Sequence, residues 1–223
     1  MLMNKLDTFS LFSSIMSWQD DSCGWPVGLQ ILDFGCNNGN LIRSSAGIIK
    51  QSDYTGIDID LESITEAKKN FPNATWLHYN RFNPLYNPNG NNDLPIIGSK
   101  FAAIFSYSVF TQMSMPDKFE LIDHLIENNL TDGGEMWFTF CNPHVPKCRN
   151  FFYNRRNNCD EIKCNGYAYL VDNKMSQIIP QEQPEHFIAF YEKDFLRHIL
   201  RKYNPTFFDS PDGWVQDVIR LKP

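Results

Sequence analysis

The 223-residue sequence has no apolar run of membrane-spanning length, no Cys-x-x-Cys pair and no excess of positive charge. The first absence excludes a transmembrane helix and leaves no membrane partner to expect. The first twenty residues also lack an export signal, since Leu11 to Trp18 is broken by serines and runs into Asp20 and Asp21. A cytoplasmic protein is the expectation. The six cysteines, Cys23, Cys36, Cys141, Cys148, Cys159 and Cys164, then read as reduced thiols. A metal held by Cys148, Cys159 and Cys164 is the alternative, and no metal is expected because the usual ligand spacing is missing. The net charge of −6 argues against a nucleic-acid partner, whose phosphates favour a basic face.

What is present suits one enzyme-sized domain, because 42% hydrophobic residues over this length can build a core unaided. Its most informative stretch is Ile31-Leu-Asp-Phe-Gly-Cys-Asn-Asn-Gly-Asn40, an apolar run ending in a Gly-x-x-x-Gly turn, followed by Tyr54-Thr-Gly-Ile-Asp-Ile-Asp60. These read as the first two strands of a nucleotide-binding sheet. A Cβ at Gly35 would crowd whatever lies over the strand's end, and one at Gly39 would crowd the next helix. Asp58 follows Gly35 at close to the spacing of about 20 residues that a ribose-binding acid takes. A dinucleotide fingerprint would need glycine where Asn37 stands. A nicotinamide-dependent reductase is thereby disfavoured.

Short apolar strands alternate with amphipathic helices along the chain. Strands are expected at Leu29 to Phe34, Tyr54 to Ile57, Thr75 to Tyr79, Phe101 to Tyr107 and Glu135 to Phe140, the last entered through the turn Asp132-Gly-Gly134. Helices are expected from about Asn40 to Lys50, from Leu61 to Asn70 before Pro72, and from Pro116 to Asn128. A loop rich in Asn, Pro and Gly fills Asn80 to Ser99. The pattern implies an α/β fold, a Rossmann-like mostly parallel sheet with helices on both faces and ligands at the strands' carboxyl ends. Residues 142 to 190 break the alternation with prolines, aromatics, Arg155-Arg156 and two β-like runs, Tyr167 to Val171 and His186 to Tyr191. They read as an insertion after strand five that caps the ligand end. Helix Glu192 to Tyr203, strand Thr206 to Asp209 and strand Gln216 to Leu221 follow, with Asp212-Gly213 suggesting an antiparallel edge hairpin. The amino-terminal arm, residues 1 to 26, carries Phe9, Phe12, Ile15, Met16 and Trp18 near helical spacing. A helix packed over the cofactor or at a homodimer contact is expected there, with plain core packing as the alternative.

These residues resemble class I S-adenosylmethionine-dependent methyltransferases. Ile31 to Gly39 is similar to that family's first motif, Gly56 to Asp60 to its second, and Leu130-Thr-Asp-Gly-Gly134 with strand five to its "L-x-P-G-G" segment. His78-Tyr-Asn-Arg-Phe-Asn-Pro-Leu-Tyr-Asn-Pro-Asn-Gly90 and Ser108-Val-Phe-Thr-Gln-Met113 resemble a branch, common in carbohydrate and natural-product pathways, with "Tyr-Asn-Pro-x-Gly" and "Ser-Val-Phe-Thr-His". The likeness spans residues 27 to 141, the cofactor-binding core, and returns in the carboxyl-terminal helix and hairpin of 191 to 223. It implies a seven-stranded sheet with an antiparallel last strand.

The resemblance implies roles for individual residues. Asp33, Gly35, Cys36, Asn37 and Gly39 would surround the methionine part of S-adenosylmethionine, with S-adenosylhomocysteine as product. Asp58 would bind the ribose hydroxyls, Ile59 would pack on adenine, and Asn80 stands where the family has Asp beside the adenine amino group, with Arg81 next to it. An amide oxygen still accepts that hydrogen bond. Phe105, Ser106 and Tyr107 would end the fourth strand beside the sulfonium, with Tyr107 also facing the acceptor. Gln112 replaces the family's His, which puts a base at that position in doubt and leaves Gln112 as a substrate contact.

The expected activity is methyl transfer to a small molecule, peptide natural product or glycan precursor, with oxygen as acceptor atom. A carboxylate needs no base, whereas a hydroxyl must lose a proton to one. His144, directly after strand five, and His186, at the end of the insertion, are the candidate bases; loop or cap roles are the plainer alternative. Arg155 and Arg156 are candidates to hold an acceptor carboxylate or phosphate, against a solvated charged loop. A domain that binds the cofactor without catalysis, as a partner subunit, is the competing function.

Overall fold

The computed structural model describes residues 8–17, 28–83, 86–113, 115–148, 150, 159–164, 167–172, 187–211 and 214–223. Seven strands form one sheet: β1 (Ile31–Phe34), β2 (Tyr54–Asp58), β3 (Thr75–His78), β4 (Phe101–Ser106), β5 (Leu130–Phe140), β9 (Thr206–Phe208) and β10 (Asp217–Leu221). Their order is β3-β2-β1-β4-β5-β10-β9. The first five run parallel. β10 lies antiparallel to both β5 and β9, so the hairpin enters the sheet with its second strand inward.

Helices cover both faces. On one, α1 (Thr8–Ser17), α2 (Asn40–Ser44) and α3 (Leu61–Asn70) enclose a core of Phe12, Ile31, Leu41, Tyr54, Ile64, Trp76, Phe105 and Trp137. On the other, α4 (Met115–Asn129) buries Leu121, Ile122, Leu125 and Ile126, and α5 (Lys193–Ile199) buries Leu196. The four α4 positions recur at helical spacing, so one stripe meets the sheet. Helix α3 has clear boundaries. Asp60 caps it by accepting the Glu62 N–H at 3.1 Å, and Lys68 and Lys69 face the carboxyl end of its dipole.

Helix α2 and strand β5 differ from expectation in their bounds. Helix α2 stops at Ser44 rather than near Lys50, because Ala46 and Gly47 adopt left-handed φ values of 50° and 91° that no helix continues through. Strand β5 begins at Leu130, ahead of the turn at Asp132-Gly-Gly134, and that turn forms an irregularity in its pairing with β4.

The insertion contains a second, antiparallel sheet of β6 (Cys159–Cys164), β7 (Tyr167–Asp172) and β8 (Phe187–Tyr191). Strand β6, which carries charges at Asp160, Glu161 and Lys163, lies outside the β-like runs that the sequence suggests. Its apolar content is too low to mark a strand alone. β8 runs beside the end of β5, where the Tyr191 N–H donates to the Cys141 carbonyl at 2.9 Å. Among the described residues, no helix is long and apolar enough to cross a membrane. Trp18 and the Asp212-Gly213 turn lie outside the described residues.

Candidate functional site

The turn after β1 is held by β2. The Gly35 and Cys36 N–H groups both donate to the Ile57 carbonyl, at 2.8 and 3.1 Å. Asn37, at φ 50°, donates its N–H to Asp58 Oδ2 at 2.7 Å, and the Asp60 N–H donates to Asp58 Oδ1 at 2.9 Å. Both carboxylate oxygens of Asp58 are thus anchored by backbone, and each keeps a lone pair for a ligand. Burial pushes the Asp58 carboxyl above its ordinary range, and the two backbone N–H groups pull it back.

Asp33 lies below this turn, 3% exposed, with Oδ2 accepting the Tyr54 hydroxyl at 2.5 Å. Burial lifts its carboxyl to about 7, more than the Tyr54 hydrogen bond lowers it, and the nearby Asp58 adds to the rise. The glycines of the turn have separate reasons. A Cβ on Gly35 would overlap Cγ2 of Val109, and one on Gly39 would lie 2.9 Å from the Trp76 ring. Val109 is therefore what lies over the end of β1.

A cleft of about 350 Å³ opens above these groups at the carboxyl ends of β1, β2 and β4. Asp33, Gly35, Cys36, Asn37, Asp58, Ile59, Arg81, Tyr107 and Gln112 line it, all of them singled out by the sequence. Burial raises the Tyr107 hydroxyl to about 12, so it stays protonated at neutral pH and can donate a hydrogen bond. Gln112 donates from Nε2 to the Ser108 carbonyl at 3.2 Å.

Other predicted residues stand elsewhere. Gly39 packs against the core. Asn80 is exposed, and its Oδ1 accepts from Asn87 Nδ2 at 3.0 Å. Phe105 is buried on Phe12 with ring centroids 5.1 Å apart, and Ser106 is buried with no partner for its hydroxyl among the described residues. His144 is 73% exposed, 3.7 Å from Glu192 Oε1, and is not among the residues around the cleft. His186, Arg155 and Arg156 lie outside the described residues, as do the side chains of Cys159 and Cys164. Cys148 is buried with Cys141, Ile188 and Phe190.

The far end of the cleft was not anticipated. Met113, Asp117 and Leu121 reach it from α4 and the turn before it, and Asp117 Oδ1 lies 3.4 Å from Arg81 Nη2. An acid in the first turn of a helix reads in sequence as a partner for the helix dipole. Nothing local marks it as a cleft residue.

Residues 32–136 match the family described as "Methyltransferase domain". Over these residues, a little under half of its length, the chain is similar to a methyltransferase domain. Its fold agrees with solved methyltransferase structures. It is similar to Streptomyces venezuelae DesVI, at 13% identity and a TM-score of 0.58, over 95% of this chain and 89% of that one. The glycopeptide N-methyltransferase MtfA with bound S-adenosylmethionine gives 11% and 0.57, over 95% and 93%. Magnesium protoporphyrin IX methyltransferase (ChlM) from Synechocystis PCC 6803, with bound S-adenosylhomocysteine, gives 15% and 0.54, over 94% and 81%. No curated protein sequence matches the chain. These structures and the chain agree in fold, a Rossmann-like, mostly parallel seven-stranded sheet.

In its residues the cleft fits S-adenosylmethionine, the ligand of the MtfA structure. Its acids, Asp33 and Asp58, complement a ligand bearing a sulfonium, an ammonium and a ribose diol, and its volume lies in the range of small-molecule sites.

Proposed function

We propose that this protein is an S-adenosylmethionine-dependent methyltransferase that acts on an oxygen atom of a small molecule, a peptide natural product or a glycan precursor, with a carboxylate as the preferred acceptor. S-adenosylmethionine supplies a methyl group on a positively charged sulfur. The chain's residues supply place and charge. Asp58, fixed through Asn37 and Asp60, would hold the ribose hydroxyls, and Asp33 would face the cationic methionine part. Ile59 would pack on adenine. Because the transfer is an in-line displacement in which charge disappears, alignment of the reactants provides much of the acceleration.

The observation that carries the cofactor assignment is Asp58, anchored through both oxygens at the rim of the cleft. The preference for a carboxylate acceptor rests on the lining groups. Among the described residues these include acids, phenols, a thiol and Arg81, and no histidine. Such a lining suits an acceptor that has no proton to lose, as a carboxylate has none. For an acceptor that must lose a proton, His186 is the candidate base. The second sheet, with β8 beside the end of β5, supports residues 142 to 190 as the acceptor's cover.

The test is transfer of a labelled methyl group from S-adenosylmethionine to a pool of candidate acceptors, followed by mild alkali. Label released as methanol identifies a methyl ester. Label that stays on an amine or a carbon overturns the oxygen assignment. Cofactor binding without transfer to any acceptor would favour the partner-subunit reading.

A further inference from the structure

Ser108 holds the backbone at φ 61°, a left-handed conformation that a serine adopts only when its surroundings impose it. Two strands supply the constraint. From β5, the Thr139 hydroxyl accepts the Ser108 N–H at 2.8 Å. From the residue before β10, Gln216 donates from Nε2 to Ser108 Oγ at 2.9 Å. The Ser108 carbonyl in turn accepts the Thr111 hydroxyl at 3.1 Å and Gln112 Nε2 at 3.2 Å. The next residue, Val109, is the one that fills the space over Gly35. Ser108, Val109 and Gln112 all line the cleft.

Gln216 is an odd residue to bury. It is 3% exposed, and its Oε1 has no hydrogen-bond partner among the described residues. A buried amide with one end unsatisfied costs stability, so a leucine of similar length would pack there at less expense. What the amide uniquely provides is the N–H that meets Ser108.

We propose that Gln216 is a positioning residue for the cofactor cleft, holding Ser108 in its strained conformation and thereby setting Val109 against Gly35 and Gln112 along the wall. Gln216 touches neither cofactor nor acceptor. Its effect passes through the Ser108 hydroxyl. The inference rests on the cofactor reading of the cleft, and the experiment separates the two.

Calorimetric titration with S-adenosylhomocysteine is the measurement, on wild type, Gln216→Leu, Gln216→Glu, Ser108→Gly and the double variant Ser108→Gly/Gln216→Leu. Gln216→Leu should weaken binding about five- to twentyfold while its melting temperature stays at or above that of wild type. Gln216→Glu should restore most of the affinity, because the Ser108 hydroxyl can donate to the carboxylate and keep the turn in place. Glycine adopts positive φ without a holder. In the Ser108→Gly background, Gln216→Leu should therefore cost less than twofold. Wild type that binds S-adenosylhomocysteine with Gln216→Leu unchanged overturns the positioning role alone. So does an equal loss in both backgrounds, which would mean that Gln216 acts through something other than Ser108. Wild type that binds no S-adenosylhomocysteine overturns the cofactor reading itself.

Discussion

Val109 occupies the space that any side chain on Gly35 would need. Gly35 also sits at φ 80°, so alanine there meets both a steric overlap and an unfavourable backbone. Gly35→Ala should lower stability by about 2 to 4 kcal/mol, measured by urea unfolding. Adding Val109→Ala should recover the steric part and leave about 1 kcal/mol from the backbone. Full loss persisting in the double variant would show that Val109 is not the obstacle.

Asp58→Ala should weaken S-adenosylhomocysteine binding by about 1 to 3 kcal/mol through lost charge-assisted hydrogen bonds. It also strips the Asn37 and Asp60 N–H groups of their acceptor. Asp58→Asn, which keeps one oxygen for one of those groups, should fall between alanine and wild type in calorimetry. An unchanged affinity in Asp58→Ala would sink the ribose assignment.

Asp33 makes stability depend on pH. Its folded-state value of about 7 lies above the ordinary 3.8, so the folded protein keeps a proton that the unfolded chain releases. The favourable contribution is complete below about pH 4 and is lost as the pH rises through 7. Asp33→Asn, which still accepts the Tyr54 hydroxyl through its amide oxygen, should gain on wild type across that window. The difference should reach up to about 4 kcal/mol. Parallel stability curves for the two proteins from pH 4 to 8 would refute the assignment.

Lys118 has the opposite sign. Its Nζ is buried and donates to the Tyr191 hydroxyl at 2.6 Å, and burial drives its pKa well below the ordinary 10.5. The unfolded chain therefore binds a proton more readily, and Lys118's penalty shrinks as the pH rises toward 10.5. Lys118→Met fills a similar volume without a charge to desolvate. At pH 7 it should be neutral or stabilising by up to about 2 kcal/mol, with the gain fading toward pH 10 in guanidinium melts.

The sheet and half the cleft were readable because their signals are local. Gly35, Gly39 and Asp58 declare a turn and an acid within one β-α-β unit, and the α3 and α4 stripes repeat at helical spacing. The rest depends on partners far apart in sequence. Gln216 sits beside a turn and carries no mark of burial, and its importance arises only where β10 slots in beside β5. The resemblance puts Asn80 beside adenine, and only the folded loop shows that its Oδ1 accepts from Asn87 Nδ2. Helical apolar spacing extends α2 toward Lys50 because it says nothing of the left-handed residues at Ala46 and Gly47.

The inward position of β10 also shapes how the protein assembles. Until the hairpin docks, β5 presents Met136 to Phe140 along an open sheet edge, an apolar stretch able to pair with another chain. Docking joins strands distant in sequence, and such pairings form slowly. The nascent and refolding protein should be most prone to aggregation in that interval, and agents that speed hairpin closure should raise the soluble yield without altering the finished fold.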